Sequence, residues 1–313
     1  MKLVTVAIPV YRRFDLLPNV LRCVDRQDYP HVELLVSDNG VNGSRVPEIV
    51  RENYSRPFRF RSNPVTVPMV AHFNQLPREA SGQYFVMLCD DDEISPNYIS
   101  DLVGILDSDP RISAAFGHEE IVDFSGHILH TSSADVPPLM TGDEFIRAWC
   151  TYRYRFGTWV TFLGRTQNIR DLGGMPEFTY GTHSDDGLLV KLSLGRLIAF
   201  SQGSTFRKRK YSESAGRSMS CLNLADDTRK FLRFLETDPC VREFSKTQPR
   251  QWAESKDLLI KMTWETYAGR LNTMYREQLS GIRWLRAAFA MPFIPSYYRQ
   301  VLRAMLGGLR PSA

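Results

Sequence analysis

The chain contains 313 residues, of which 43% are hydrophobic and 24% are charged. These proportions are ordinary for a folded soluble protein, and the length suits one large α/β domain with an extension, or two modest domains. The formal net charge is only +4, and the basic excess lies at the C-terminal end, because residues 281–313 contain five arginines and no acid. That segment is therefore a candidate partner surface.

The cysteines and the N-terminus exclude several classes of protein. Five cysteines are scattered along the chain without a CxxC pair, so the sequence predicts neither a disulfide framework nor a zinc knuckle. The first residues lack a small-residue cleavage site, and no run approaches the ~20 apolar residues that span a bilayer. We therefore predict a cytoplasmic protein.

Short apolar runs alternate with helical spacing over the first hundred residues. The predicted strands are Leu3–Val10, Val32–Ser37, Phe58–Arg61 and Tyr84–Leu88. The predicted helices cover the apolar positions from Leu16 to Val24, then Pro47–Tyr54, Val67–Ala80 and Pro96–Asp107. This alternation predicts the α/β class, with a Rossmann-like, mostly parallel sheet, flanking helices, and a functional site at the carboxyl ends of the strands.

The rest of the chain is less regular. We predict strands at Ser113–Val122, Thr158–Leu163 and Leu197–Ser201, a helix opened by a capping box at Thr141–Glu144, and another helix at Ser184–Leu194. The polar stretch Gly203–Ser220 is predicted to be a loop, and mostly helical structure is expected from Leu222 onward. These patterns divide the chain into an α/β domain over residues 1–220 and a helical C-terminal extension over residues 221–313.

The strongest chemical signal is the run of Asp90, Asp91 and Asp92 directly after a buried strand. Three adjacent carboxylates in such a place are electrostatically unfavourable unless a cation lies among them. Mg²⁺ or Mn²⁺, held by one or two carboxylates and by substrate phosphates, is the natural partner. The alternative is a solvated acidic turn that caps the next helix.

The ends of the first two predicted strands carry weaker candidates. Asp38 and Asn39 can accept hydrogen bonds from a ribose or a base, although a plain turn explains them equally well. Tyr11 can support a base and Arg13 can approach phosphates, although surface packing explains each equally well. The first strand–helix junction has no glycine, so a GxGxxG loop is absent, and there is no Walker A loop in the sequence.

Two charged segments lie further along the chain. Asp185 and Asp186 open a predicted helix, where they act either as caps stabilised by the helix dipole or as a general base. The basic run Phe206–Lys210 either clamps phosphate charge or is a solvated part of the predicted loop. Without interleaved aromatic residues it is a poor nucleic-acid footprint, so no nucleic-acid partner is predicted.

The ordered set of motifs resembles family-2 glycosyltransferases of GT-A fold. The resemblance covers about residues 1–215, and its motifs are TVAIPVYRR, LLVSDNG, a buried strand ending in CDDDEISP, GGMPE and HSDDGLLVKL. The resemblance implies a nucleotide-sugar donor, with a UDP-sugar expected, and Mn²⁺ or Mg²⁺ as cofactor. It also implies inverting transfer to a hydroxyl of a saccharide or polyprenyl-linked acceptor in bacterial surface polysaccharide synthesis.

The same resemblance assigns roles to individual residues. It implies that the nucleotide contacts include Pro9, Val10, Tyr11, Asp38, Asn63, Asp90 and Asp91, and we add Arg13 and Arg209 to them as candidate phosphate contacts. It draws the metal ligands from Asp90, Asp91 and Asp92, and it places the His72–Asn74 segment in the donor-side loop. Asp186 aligns with the catalytic base of the family's Glu-Asp pair, and Asp185 aligns with the acid that precedes it.

This chain departs from the family pattern at two positions. Cys89 replaces the frequent first aspartate of LDxDD, so the metal frame is either Asp90 with Asp92 or one centred on Asp91. Arg209 replaces the histidine of YRxH, which favours a diphosphate contact over a metal ligand there. The processive QxxRW signature is absent, which resembles members that add single sugars.

Two alternatives to a glycosyltransferase stay open at this point. A nucleotidyltransferase also uses a carboxylate-held metal on a similar sheet, but it would usually carry a glycine-rich basic loop after the first strand, and none is present here. A catalytically inactive sugar-binding protein is the second alternative. An intact aspartate run together with an intact acid pair argues against it.

The last segment alternates apolar residues with arginines, among them Ile282, Arg283, Leu285 and Arg286. Helices of this composition can lie in an anionic membrane interface, which would make the protein peripheral on the inner face of the cell membrane. The alternative is that they pack on the α/β domain or in a homodimer.

Overall fold

A computed structural model describes residues 1–154, 162–210 and 220–277. The described chain forms two compact units. The first contains residues 1–154, 162–177 and 184–210, and the second contains residues 178–183 and 220–277. The sequence-based boundary between residues 220 and 221 stays a prediction.

The first unit is a helix-flanked sheet. Its described strands are β1 Val4–Val10, β2 Val32–Asp38, β3 Phe58–Ser62, β4 Tyr84–Met87, β5 Glu93–Ile94, β6 Ile112–Val122, β7 Ile128–Thr131, β8 Leu139–Thr141, β9 Leu163–Arg165 and β10 Leu197–Arg209. Its described helices are α1 Leu17–Asp25, α2 Arg45–Asn53, α3 Met69–Glu79, α4 Tyr98–Ser108, α5 Gly142–Cys150, α6 Thr166–Asp171 and α7 Ser184–Ser193.

The strand order across the sheet is β3-β2-β1-β4-β9-β6-β10-β5, with β7 beside β6 and β8 beside β10. The pairs of β1 with β2 and β4, of β2 with β3, and of β6 with β10 are parallel. Because β9 is antiparallel to both of its neighbours, β4 and β6 run in the same direction. Six strands therefore share one direction, which confirms the mostly parallel, Rossmann-like sheet.

Burial in the core explains why β1 is an interior strand of the sheet. Every residue of β1 is buried, as expected for a parallel strand covered by helices on both faces. Helix α1 turns Leu17, Val20, Leu21 and Val24 toward this core, and their 3–4 residue spacing places them on one helical face. The capping box is also confirmed, since Thr141 Oγ1 accepts from Glu144 N and the Glu144 carboxylate accepts from Thr141 N.

The predicted loop over Gly203–Ser220 is wrong in its first part, because β10 continues to Arg209. Its second half pairs with β6 and with β5, so the backbone groups of the basic run are satisfied within the sheet. The charges alternate across the strand and meet acids on neighbouring strands, as Arg207 does with Glu120. Residues 211–219 lie outside the described residues, as do residues 158–161 of the predicted strand that ends at Leu163.

The described part of the second unit is helical and contains α8 Cys221–Thr237, α9 Pro239–Thr247 and α10 Pro249–Glu277. The expected helical C-terminal region is thus confirmed as far as residue 277. The segment 278–313, where the membrane or dimer contact was predicted, lies outside the described residues. Among the described helices, none is both long and apolar enough to cross a bilayer.

Candidate functional site

The polar residues singled out from the sequence follow strands that end at one edge of the sheet. Strands β1, β2, β3, β4, β6 and β10 are mutually parallel, so their carboxyl ends face the same way. Backbone bonds hold the first loops together at this edge, with Asn39 N donating to Val10 O at 2.8 Å and Asn63 N donating to Asp38 O at 2.9 Å. This edge is the candidate site.

The aspartate run forms a tight turn between two strands. Asp92 N donates to Cys89 O, and the chain then enters β5, which pairs with β10. Asp90 and Asp92 are buried, with 7% and 3% of their surfaces exposed. Burial raises the pKa of Asp90 to about 6, although the nearby Arg13 lowers it. Burial also raises the pKa of Asp92 well above its usual value, and the charge of Asp91 raises it further.

Such carboxylates need positive charge nearby, and Arg13 supplies some of it. Arg13 Nη2 lies 2.8 Å from Asp90 Oδ1, and Arg13 Nη1 lies 3.1 Å from Asp91 Oδ2. One guanidinium thus bridges two successive aspartates. The arginine side chain is itself 47% exposed, so it reaches the buried turn from the solvent side.

The turn also fits a divalent cation. Ligand atoms of Cys89, Asp91 and Asp92 all lie within 4.8 Å of one another. Two carboxylates suit Mg²⁺ or Mn²⁺, whose remaining ligands are commonly phosphate oxygens and water, whereas a thiol is a soft ligand that these hard cations do not require. Asp90, which was also predicted as a ligand, is outside this group and points at Arg13. Its place among the metal ligands stays a prediction.

Asp38 is fully buried at the end of β2, and its carboxylate shapes the next turn. It accepts from Gly40 N at 2.7 Å and from Asn42 N at 2.8 Å. Gly40 is required here because a Cβ on it would lie 1.8 Å from the carbonyl oxygen of Tyr11. A base contact by Asp38 stays a prediction, and both of its oxygens already accept bonds from this turn.

Asn39 and Asn63 join the turns after β2 and β3. Asn63 Nδ2 donates to Asn39 Oδ1 at 2.8 Å, and Asn39 binds both backbone groups of Val67. At the end of β1, Pro9 and Val10 are buried, whereas the Tyr11 side chain is 46% exposed. Tyr11 is therefore the member of that trio whose side chain is accessible to a ligand.

The end of β10 carries two cations, Arg209 and Lys208, with different neighbours. Arg209 is 9% exposed, and its Nη2 lies 2.7 Å from Glu93 Oε1 while its Nη1 donates to the carbonyls of Asp123 and Phe124. A diphosphate contact by Arg209 stays a prediction, and its guanidinium already binds Glu93 and two backbone carbonyls. Burial raises the pKa of Glu119 on β6, as it does that of Asp92, and the positive charge of Lys208 opposes both shifts.

The sequence analysis treated Lys208 only as one member of the basic run, although a signal that sets it apart from the arginines existed. Neighbouring side chains on a strand point to opposite faces, so Lys208 faces away from Arg207 and Arg209. Reading the basic run as a strand would have separated the lysine from the arginines. Reading it as a loop hid that alternation.

Asp185 and Asp186 lie in the first turn of α7. The C-terminal end of this helix lies beside the start of β6, because Ser113 Oγ of that strand donates to Leu192 O at 2.6 Å. Helix α7 therefore points its N-terminus toward the edge of the sheet that carries the aspartate turn. Asp186 also lies close enough to Cys150 to contribute, after burial, to raising the pKa of that thiol to about 12.

Two further polar contacts of helix α3 join it to other segments of this unit and were not predicted. Ser37 Oγ and His72 Nε2 are 2.7 Å apart in a buried position. Asn74 Oδ1 accepts from Met175 N at 2.8 Å, and its Nδ2 donates to Met175 O at 2.9 Å. Gly174 has φ +70°, and a Cβ there would lie 2.4 Å from Asn74 Oδ1, which explains the glycine before Met175. No local sequence signal connects residues 101 positions apart.

Solved structures of similar fold include glycosyltransferases. S. aureus TarS 1–349 in complex with UDP-GlcNAc matches with a TM-score of 0.63 and 15% identity, over 99% of this chain and 93% of that chain. A longer TarS chain matches with a TM-score of 0.58 and 14% identity, over 99% of this chain and 49% of that one.

Mannosyltransferase PcManGT from Pyrobaculum calidifontis, in complex with GDP-Man and Mn²⁺, matches with a TM-score of 0.55 and 15% identity, over 100% of this chain and 88% of that chain. At such identities the likeness shows the fold, which is that of GT-A glycosyltransferases. No curated protein sequence matches this chain.

The sequence itself also matches a family. The model of glycosyl transferase family 2 covers residues 5–173, more than half of the chain. This range begins in β1 and contains Arg13, Asp38 and the aspartate turn. The chain therefore belongs to glycosyl transferase family 2 and is a glycosyltransferase of GT-A fold.

Proposed function

We propose that this glycosyltransferase transfers a sugar, with inversion, from a UDP-sugar to a hydroxyl of a saccharide or polyprenyl-linked acceptor. The observation that carries the proposal is the aspartate turn, in which Asp91 and Asp92 converge at the carboxyl edge of the sheet. The complexes of TarS with UDP-GlcNAc and of PcManGT with GDP-Man support a nucleotide-sugar donor. We assign the reaction to bacterial surface polysaccharide synthesis.

The donor nucleotide lies, in this proposal, across the loops that follow β1, β2 and β3. Tyr11 offers an exposed aromatic face for the base, and the Asp38 turn and the Asn39–Asn63 pair hold the adjoining loops in shape. A preformed loop set lowers the entropy lost when the nucleotide binds. The diphosphate then lies toward Asp91 and Asp92.

Asp91 and Asp92 are the residues that would hold Mn²⁺ or Mg²⁺. When bound, the cation supplies positive charge to the departing diphosphate. The buried Asp92 is suited to this role because desolvation makes its carboxylate unfavourable without a nearby cation. The Mn²⁺ in the PcManGT complex supports the choice of a divalent metal.

Asp186 is the proposed general base. It takes the proton of the acceptor hydroxyl, whose oxygen attacks the anomeric carbon while the bond from that carbon to the diphosphate breaks. One displacement inverts the anomeric centre, so a UDP-α-sugar yields a β-linkage. Asp185 caps α7 or orients its neighbour, because adjacent residues on a helix point about 100° apart.

The family assignment favours sugar transfer over the nucleotidyltransferase and over the inactive sugar-binding protein. For the segment 278–313 we keep the sequence-based proposal of a peripheral contact with anionic membrane. Its arginines alternate with apolar residues, which suits the interface between lipid head groups and acyl chains. Homodimerisation is the competing role for this segment.

Hydrolysis of nucleotide sugars by the full chain tests the donor and the metal together. We expect UDP-sugars to be hydrolysed slowly with Mn²⁺, and hydrolysis to stop in excess chelator. Asp91→Asn and Asp92→Asn should each lower the rate by about tenfold or more because each removes a charged ligand. Asp135→Asn, which changes an exposed aspartate of the loop before β8, is the matched control. Full turnover in chelator would contradict the metal-dependent mechanism.

A further inference from the structure

Arg13 connects the loop after β1 to the aspartate turn in an unusual way. Its two terminal nitrogens bind two different carboxylates, Asp90 at 2.8 Å and Asp91 at 3.1 Å. The carboxylates are largely buried, with side-chain exposures of 8% and 16%, whereas the arginine is 47% exposed. The arginine is therefore the partner that can rotate away from this contact, since its long side chain is half exposed while both acids are embedded.

Asp91 belongs to two groups at once. One of its oxygens binds Arg13, and it is also a member of the Cys89–Asp91–Asp92 group whose ligand atoms lie within 4.8 Å of one another. A divalent cation in that group would stand within a few ångströms of the guanidinium. Like charges at that distance repel strongly because the surrounding carboxylates are shielded from water. The two cations therefore compete for Asp91.

When a donor is present, its diphosphate favours movement of the guanidinium away from Asp91. A nucleoside diphosphate brings oxygens that a planar guanidinium can bind through two parallel hydrogen bonds. An arginine displaced from Asp91 needs only to rotate its exposed side chain to meet such oxygens at the same edge of the sheet. Its loss of two carboxylate contacts is then offset by contacts with the diphosphate.

We propose that Arg13 is an exchangeable cation of the donor site. Its guanidinium holds Asp90 and Asp91 until a divalent cation binds, and it then moves to the donor's diphosphate. The protein so avoids both an uncompensated acidic turn before binding and an excess of cations afterwards. This inference rests on the proposed function and adds to it an order of events, in which metal binding releases the arginine that clamps the donor.

Mn²⁺ binding to the full chain without nucleotide tests the exchange directly. Titration followed by the electron paramagnetic resonance signal of free Mn²⁺ gives the affinity and needs no enzymatic activity. Removing the competing guanidinium in Arg13→Gln should tighten Mn²⁺ binding by about tenfold or more, since charge-assisted contacts of this kind are strong. Arg13→Lys, which keeps the charge but cannot bridge two carboxylates, should fall between the two.

The opposite change is expected for the nucleotide. With Mn²⁺ saturating, UDP should bind Arg13→Gln about tenfold more weakly than the unchanged chain, because the diphosphate loses its guanidinium partner. A residue that merely stabilised the turn would weaken both Mn²⁺ and UDP. Tighter Mn²⁺ binding together with weaker UDP binding in Arg13→Gln is therefore the result that indicates exchange.

Arg12→Gln is the matched control. It removes the same charge from the neighbouring position, where the guanidinium lies 4.9 Å over the ring of Tyr11. Its Mn²⁺ affinity should stay within about twofold of the unchanged chain, since a solvent-exposed charge at a distance is screened. If Mn²⁺ affinity rose equally in Arg12→Gln and Arg13→Gln, the effect would be one of net charge, and the proposed exchange would be wrong.

Two other outcomes would also overturn it: unchanged or weaker Mn²⁺ binding in Arg13→Gln, and no Mn²⁺ binding by either protein. Sugar transfer is measured separately, with and without chelator. If the exchange fails while Mn²⁺-dependent transfer persists, the proposed function stands and Arg13 is a static part of the turn. If transfer itself fails, the proposed function is contradicted whatever Arg13 does.

Discussion

At the scale of single residues, environment separates the acids that looked alike in the sequence. The Asp38 carboxylate accepts hydrogen bonds from the backbone of Gly40 and Asn42, and Asp90 faces Arg13. Asp91 and Asp92 share a point where a cation fits. Identical side chains thus differ in environment, and the free energy of each carboxylate depends on its burial and on the charges that surround it.

The acid pair of α7 allows the first residue-scale prediction. Asp186→Asn keeps the shape of the side chain and removes its basicity, so turnover should fall by about a hundredfold or more. Donor affinity should change little because the base faces the acceptor. Asp185→Asn should cost less turnover. Steady-state rates with a saturating donor, together with donor binding measured by calorimetry, make the comparison.

The ranking of the two variants decides the assignment. A greater loss in Asp185→Asn, with donor binding intact, would move the base to Asp185. Full activity in both would place the base elsewhere. Cys150, whose thiol lies near Asp186, remains protonated because burial raises its pKa to about 12, so it is no substitute base.

At the scale of elements, a few buried polar side chains join segments that are distant in sequence. Asn74 of α3 binds both backbone groups of Met175, and it is only 4% exposed. Asn74→Ala leaves the Met175 N–H and C=O without these partners. We expect the free energy of unfolding to fall by about 2–4 kcal/mol, the cost of orphaning two buried backbone groups.

Urea denaturation of the full chain measures this loss. Gln167→Ala in α6 is the control, since that residue is exposed and its amide bonds Asp171 within the same helix. A change within about 0.5 kcal/mol is expected for it. If Asn74→Ala unfolded at the same urea concentration as the unchanged chain, the Met175 contact would not stabilise the fold.

His72 of α3 gives the contact with β2 a pH dependence. Burial, with the nearby positive charge of Arg61, lowers the pKa of His72 to about 4. An unfolded chain takes up this proton near its ordinary pKa of about 6.5, whereas the folded chain does not. The contribution is therefore fully favourable to folding above about pH 6.5 and is lost as pH falls toward 4.

Between about pH 7 and about pH 5, this one group should lower the free energy of unfolding by about 2 kcal/mol. Buried carboxylates such as Asp90, whose pKa is raised, act in the opposite direction, so the comparison must be made against a variant. His72→Gln should remove that part of the pH dependence. His31→Gln, at an exposed position, should keep it, and equal pH profiles in all three proteins would contradict the role of His72.

At the scale of the whole molecule, the chain divides into a sheet-based unit and a helical unit. The family model ends at residue 173, and the chemistry proposed here is built from residues of the sheet-based unit. Within the helical unit, Asp227 of α8 accepts from the backbone of Tyr180 and Thr182. The short segment 178–183 is thereby fastened to its own unit although it lies between two stretches of the other in sequence.

The C-terminal arginines carry a whole-molecule prediction. Liposome flotation should recover more of the full chain with anionic than with neutral vesicles, because each arginine near an anionic surface contributes about 1 kcal/mol. Changing Arg283, Arg286, Arg299 and Arg303 to glutamine should abolish the difference. Equal recovery with both vesicle types would rule out the membrane contact and favour packing between proteins.

Several features of the fold and of the site could be predicted from the sequence. The alternation of strands and helices, the capping box at Thr141 and the position of the aspartate run after β4 were predictable, since hydrophobic periodicity and capping act between neighbours in the chain. The ordered motifs also indicated the family that the comparisons confirm.

Contacts between distant groups depend on the tertiary fold. Arg13 and Asp90 are 77 positions apart, and Asn74 and Met175 are 101 apart. Residues 203–209 form a strand because β6 and β5 supply hydrogen-bond partners for their backbone. The glycine and the charged residues of this segment gave no local indication of a strand. Such contacts form when strand pairing brings distant segments together, and local preference is too weak to specify them.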